Sequence, residues 1–171
     1  MESDHPYADR PLKGYLPLIE SLLHEVIRLG RFDLKFSIQK GEAFGEDSEA
    51  PEYRVDFSGR DADLLLEKNG TLLDALEHVV VKAVRLEEER LGKVAFDCED
   101  YRRLRVEELR MMAQVACDRV LETGDPFALS PMNARERRII HLAVRGRPEV
   151  RTQSEGTGPQ RRVVIYPSAK R

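Results

Sequence analysis

Apolar residues recur at helical spacing from Tyr15 to about Gly30. Leu16, Ile19, Leu22, Leu23, Val26 and Ile27 fall on one face of a predicted α-helix. Gly30, after the last periodic turn, is the expected C-cap. Alternation takes over at Leu34, Phe36 and Ile38, and again at Tyr53, Val55 and Phe57. These are two predicted strands, joined as a hairpin across the acidic connector 41–52. DADLLLEKNG, residues 61–70, reads as a short helical turn closed by Gly70. Thr71 then caps a helix with Leu72, Leu76, Val79, Val80, Ala83 and Leu86 as its apolar positions, stopped by Gly92. Val94, Phe96 and Cys98 alternate as a third strand. Asp100 is the expected N-cap of a long helix to Thr123 that turns Leu104, Leu109, Met112, Val115, Ala116 and Val120 inward.

Gly124-Asp125-Pro126 breaks that helix, and 127–132 is a connector. Asn133, with Glu136 three residues on, predicts a capping box for the next helix, which Gly146 and Pro148 end. Two short strands follow, around Val150 and at RRVVIYP, separated by the turn-rich SEGTGPQ. The order is α-β-β-α-α-β, then α, a short β within that connector, α and β-β. It predicts an α+β fold rather than a doubly wound sheet. Residues 1–14 carry Pro6 and Pro11 without periodicity and read as a flexible tail.

Charge changes this picture. The chain of 171 residues is net −3, but the charge is unevenly placed. Residues 1–130 hold 18 Lys and Arg against 28 Asp and Glu, a net −10; residues 131–171 hold 10 against 3, a net +7. Such polarity fits either an anionic partner for the C-terminal part or a solvated basic face. No apolar run approaches the ~20 residues of a membrane span, so no direct membrane insertion is expected. There is no charged-then-apolar leader, and Cys98 and Cys117 lie in apolar-periodic segments as buried thiols. A reducing cytoplasm fits.

The basic third centres on NARERRIIHLAV, residues 133–144. At about 100° per residue, with Arg137 at zero, His141 falls near 40°, Arg145 near 80° and Arg138 near 100°. Ile139, Ile140, Ala143 and Val144 cover the other side. Arg137 and His141 are i, i+4 neighbours that can grip one ligand. Arginine donates a planar fork to phosphate, and histidine can donate to a phosphate oxygen or stack on a base. The pair is equally compatible with solvation or with bonds to neighbouring carbonyls.

R-x-x-x-H within MNARERRIIHLAV, followed by SEG and RRVVIYP, resembles the R-three-H domain. It is similar above all to the version found in the bacterial Jag/KhpB (SpoIIIJ-associated) family. There the domain follows a type II KH domain of order α-β-β-α-α-β, the order read for residues 15–99. The resemblance implies an RNA-binding or single-stranded-nucleic-acid-binding protein, with the motif on Arg137 and His141. It implies a KH-like domain at 15–99, an R-three-H domain at 100–167 and a C-terminal tail at 168–171. Many members carry a further N-terminal Jag domain. Residues 1–14 leave no room for one, so roles tied to it are not carried over. Arg138 and Arg145 extend the basic face. Arg161 and Arg162, on the terminal strand beside the motif helix, either extend it further or protect a sheet edge.

KH domains hold nucleic acid on a G-x-x-G loop whose glycines let the backbone approach phosphates. The matching stretch is Glu67-Lys68-Asn69-Gly70. Lys68, Asn69 and Gly70 suit a phosphate, but Glu67 replaces the first glycine with bulk and a like charge. The loop is therefore expected to be weakened for RNA, or else to grip it through those three residues with Glu67 turned away. Two functions are carried: nucleic-acid binding mainly through residues 135–145, or an adaptor whose KH-like surface docks a small KH protein or a ribosome-associated partner. His5, His24, His78 and His141 lack metal-ligand spacing, GEAFGEDSEA lacks calcium-loop spacing, and the serines lack a nucleophile-elbow context. No enzyme, metal or cofactor is expected.

Overall fold

The computed structural model describes residues 11–45 and 50–168. Its elements are α1 (Leu16–Gly30), β1 (Leu34–Lys40), β2 (Tyr53–Gly59), α2 (Ala62–Ala83), β3 (Val94–Cys98) and α3 (Tyr101–Thr123). They continue as β4 (Phe127–Ala128), α4 (Ala134–Val144), β5 (Val150–Glu155) and β6 (Arg162–Pro167). This is an α+β fold. The chain divides into two compact units, Met1–Arg102 and Arg103–Arg171, with the division inside α3. Of the two expected tails, residues 1–10 and 169–171 lie outside the described residues. Leu12–Tyr15 instead form a 3-10 helix leading into α1, because the side chains of Leu12 and Tyr15 are buried in the core.

In the first unit the sheet order is β1-β2-β3. The expected hairpin is present, antiparallel from Leu34 opposite Gly59 to Lys40 opposite Tyr53; β3 lies parallel to β2. Val55, Phe57, Phe96 and Cys98 share a core with Ile19 and Leu23 of α1 and with Leu65, Leu73 and Val80 of α2. The rings of Phe36, Phe57 and Phe96 run across the sheet at centroid spacings of 6.0 and 5.5 Å. Burial pushes the Cys98 thiol up to about 11, so it acts as a small apolar group.

Several helix ends differ from the sequence expectation. Gly30 is the last residue of α1, and Arg31 takes the left-handed position beyond it at φ 54°. The N–H groups of Arg31 and Phe32 return to the carbonyls of Arg28 and Ile27, closing a Schellman turn. Gly30 is needed for space, since a Cβ there would overlap the Phe32 ring. The second half of α2 stops at Ala83, not at Gly92. Arg85, at φ 55°, closes a second Schellman turn through the N–H groups of Arg85 and Leu86 to Lys82 and Val81. That reversal carries Leu86 into the core, and Glu88–Arg90 form only a 3-10 turn. Nor does Asp100 have N-cap geometry: its φ is 58°. Asp97 serves the first turn of α3, accepting from the Arg102 N–H at 3.0 Å and the Cys98 N–H at 2.9 Å. Asp97 is fully buried, and desolvation raises its pKa above the ordinary value.

The far edge of β3 is covered by side chains. The Phe96 N–H donates to Glu77 Oε2 at 2.9 Å, and the Phe96 carbonyl accepts from Arg102 Nε. Arg102 Nη2 also donates to Glu77 at 2.8 Å and Asp74 at 3.1 Å. One guanidinium and one carboxylate thus occupy main-chain groups that another strand would otherwise pair.

In the second unit β6 is central, with β4 and β5 antiparallel on either side. β4 is the short strand expected between the two helices. Phe127 and Ala128 pair with Ile165 and Val164, and the Leu129 N–H continues to Val163, so β6 gains a partner on its second edge. α3 buries Leu109, Ala113, Ala116, Cys117 and Val120 against Ile140 and Val144 of α4 and Val163 and Ile165 of β6. Of the residues expected inward, Val115 is 68% exposed and Leu104 52%. The buried stripe passes through Ala113 and Cys117 instead, well away from Val115 around the helix at about 100° per residue.

Arg102→Ala strips the guanidinium from Asp74, Glu77 and the Phe96 carbonyl at once. The expected loss is about 3 kcal/mol, typical of breaking a buried pair by removing one partner. Chemical denaturation of the full chain measures it.

Candidate nucleic-acid interface

The entry to α4 is held by a complete capping box. Asn133 Oδ1 accepts the Glu136 N–H at 2.9 Å, and Glu136 Oε2 accepts the Asn133 N–H at 3.1 Å. The other oxygen of Glu136 accepts from Arg105 Nε at 2.7 Å, which ties this turn to α3. Glu136 is buried, so both oxygens are satisfied away from water. With Ile140 and Val144 packed into the core, the rotation of α4 is set and its basic stripe faces outward.

Arg137 is half-buried, and its Nη1 donates to the Met132 carbonyl at 2.9 Å. One turn on, both ring nitrogens of His141 are engaged. Nδ1 lies 2.7 Å from Thr152 Oγ1, and Nε2 lies 2.9 Å from Ser154 Oγ. Partial burial first, and the nearby Arg137 charge second, hold the His141 pKa below its ordinary value. The imidazole is therefore neutral near pH 7.

Arg138 and Arg145 are exposed, Arg145 at the C-cap of α4. Arg161 is brought close through the backbone: its carbonyl accepts the Met132 N–H at 3.1 Å, beside the carbonyl that holds Arg137. Arg162 is not brought there. It is opposite Glu155 in the β5–β6 register, whereas Thr152 and Ser154 are opposite Ile165 and Val163 of the core face. Strand alternation therefore puts Arg162 on the sheet face away from His141. The hydroxyls of Thr152 and Ser154 escaped the sequence reading. The signal was their spacing, two hydroxyl residues two apart in TQS, but their meeting with His141 needs the fold.

The loop at residues 67–70 belongs to the first unit. Lys68, Asn69 and Gly70 all have left-handed backbones, at φ 50°, 59° and 70°, and they break α2 into two segments. For Lys68 this costs roughly 1–2 kcal/mol, while asparagine tolerates the left-handed region better. Glu67, Lys68 and Asn69 are exposed or partly so, but Gly70 is buried. A Cβ at Gly70 would lie 2.7 Å from the Tyr101 ring, so an aromatic side chain already occupies the space this glycine opens. The Thr71 hydroxyl donates to the Lys68 carbonyl at 2.7 Å. Asp74 and Glu77, on the helix that follows, are bound to Arg102.

Among the described residues no cluster of three or more His, Cys, Asp or Glu is placed to hold a metal. No described helix is long and apolar enough to cross a membrane.

A small antiparallel sheet under a helix carrying R-x-x-x-H is the pattern of a known domain: residues 107–167 match the family model of the R-three-H domain. The resemblance drawn from the motif thus holds where it is most specific. The chain is also similar to the RNA-binding protein KhpB of Clostridium symbiosum, 37% identical over 114 residues, 67% of this chain and 51% of that protein. It is 36% identical over 114 residues to the RNA-binding protein KhpB of Bacillus subtilis, covering 66% and 55% of the two chains. Against that of Lactiplantibacillus plantarum the identity is 31% over 111 residues, covering 65% and 34%. The chain therefore spans about half the length of the first two relatives.

The His141 ring should titrate below about 6.5, the unperturbed value, in a proton NMR titration of the full chain. With a depressed folded pKa, the unfolded chain takes the proton first as pH falls. His141's contribution to stability is thus complete above pH ~6.5 and is lost as pH falls toward the folded value. Gly70→Ala should destabilise by about 1–3 kcal/mol, through the left-handed backbone and the clash with Tyr101, as read by denaturant titration.

Proposed function

We propose that this chain is a non-catalytic binding protein for RNA or single-stranded nucleic acid, acting through the outer stripe of α4. The observation that carries this reading is the convergence of Arg137, His141 and the Arg161 backbone at one end of the small sheet, with Arg138 and Arg145 exposed along the same helix. The relatives' description as RNA-binding proteins and the domain match over 107–167 support it. Affinity comes mainly from phosphate contacts by arginine, with limited sequence preference. The KH-like unit contributes less. Its loop carries Glu67, and the space at Gly70 is filled by Tyr101. The protein works in the cytoplasm in this reading.

A short labelled single-stranded RNA titrated at fixed salt tests it. Arg137→Ala should weaken binding about tenfold and, across a salt series, lower the slope by about 0.7, one phosphate contact on a single strand. His141→Ala should weaken it by a similar factor. Glu67→Gly should strengthen it by removing a like charge from the loop. Affinity unchanged by both α4 substitutions would refute this site. A nuclease-resistant protein complex without salt-dependent RNA binding would point to the adaptor function instead.

A further inference from the structure

The sequence allows two roles for His141: hydrogen-bond donor to a phosphate, or stacking surface for a base. The geometry separates them. Thr152 and Ser154 lie two apart on β5, so their side chains project from one face about 6.8 Å apart. That interval accommodates an imidazole edge with a hydrogen bond at each end, and the ring sits there with contacts of 2.7 and 2.9 Å. A neutral imidazole needs one acceptor and one donor, and a hydroxyl can be either. The two hydroxyls thus satisfy both ring nitrogens, and a contact on a ring face is the one that leaves both bonds intact in this half-buried residue. Arg137 is engaged differently. One of its five N–H donors holds the Met132 carbonyl, which orients the guanidinium fork without exhausting it.

We propose that Thr152 and Ser154 are positioning residues that clamp His141 by both nitrogens and present its ring face to a nucleobase, while phosphate contact falls to Arg137. This rests on the nucleic-acid reading above. It adds a division of labour: a cationic fork for the backbone and a fixed neutral ring for one base. The low pKa of His141 fits this role, since a ring held neutral adds no charge to the phosphate contact.

The test uses the full chain and a short labelled single-stranded RNA of about 12 nucleotides, read by fluorescence anisotropy across a salt series. Thr152→Val combined with Ser154→Ala should weaken binding about fivefold with the salt slope unchanged, because no phosphate contact is lost. Thr152→Ser keeps the hydroxyl and should bind as wild type. His141→Ala should lose about tenfold, on the order of one stacked base. His141→Phe, which stacks but cannot donate, should recover most of that loss, and His141→Gln, which donates but cannot stack, should not. On an RNA carrying abasic sites, wild type and His141→Ala should bind alike. Rescue by glutamine but not phenylalanine overturns the proposal, as does full affinity in the double hydroxyl variant. The phenylalanine and glutamine comparison decides the matter even if the hydroxyl variants fold poorly. Failure of the broader reading is distinct: the wild-type chain would then show no salt-dependent binding at all.

Discussion

The buried carboxylate of Glu136 governs the second unit. One oxygen closes the capping box on Asn133 and the other takes the Arg105 guanidinium from α3. Leaving an oxygen of a buried carboxylate without a partner is costly, so the two bonds support each other. Their joint formation sets where α4 begins and how it is rotated. Everything the basic stripe does follows from that rotation. Ile140 and Val144 point to β6, and Arg137 and His141 are left beside the β5 hydroxyls and the Met132 carbonyl.

The two units treat charge in opposite ways. In the first, charged groups are used internally. Arg102 neutralises Asp74 and Glu77 while sealing the edge of β3, and buried Asp97 caps α3. The turn at Lys68–Gly70 holds three consecutive left-handed residues, and Tyr101 lies against its glycine. In the second unit, Arg138, Arg145 and Arg161 stay exposed, while Arg105 turns inward to pair with Glu136.

Periodicity made much of the architecture legible. The hairpin, the third strand, the kinked helix pair and the motif helix all stand where alternation and helical spacing put them, because each buries an apolar face the chain spells out. Element ends were less legible. Arg31 and Arg85 close helices in the left-handed conformation that a glycine would usually take, held by the Schellman bonds and by burial of the following segment. The inward face of α3 excludes Leu104 and Val115, since apolarity alone does not say which of several stripes has a partner. Arginines 102 and 105, which look like members of a local helical cluster, reach across 25 to 31 residues to Glu77 and Glu136.

By itself, then, the sequence determined the α+β class, the amphipathic faces of most elements, the capping box and the placement of Arg137 and His141 one turn apart. Each of these is a relation between residues a few positions apart, governed by helix and strand geometry. Only the tertiary structure decided that His141 engages Thr152 and Ser154 with both nitrogens, that the Arg161 carbonyl meets the Met132 N–H while Arg162 faces away, and that Tyr101 fills the space at Gly70. Those are contacts between segments whose meeting depends on how β5 and β6 register and how the core closes, and no local spacing encodes them.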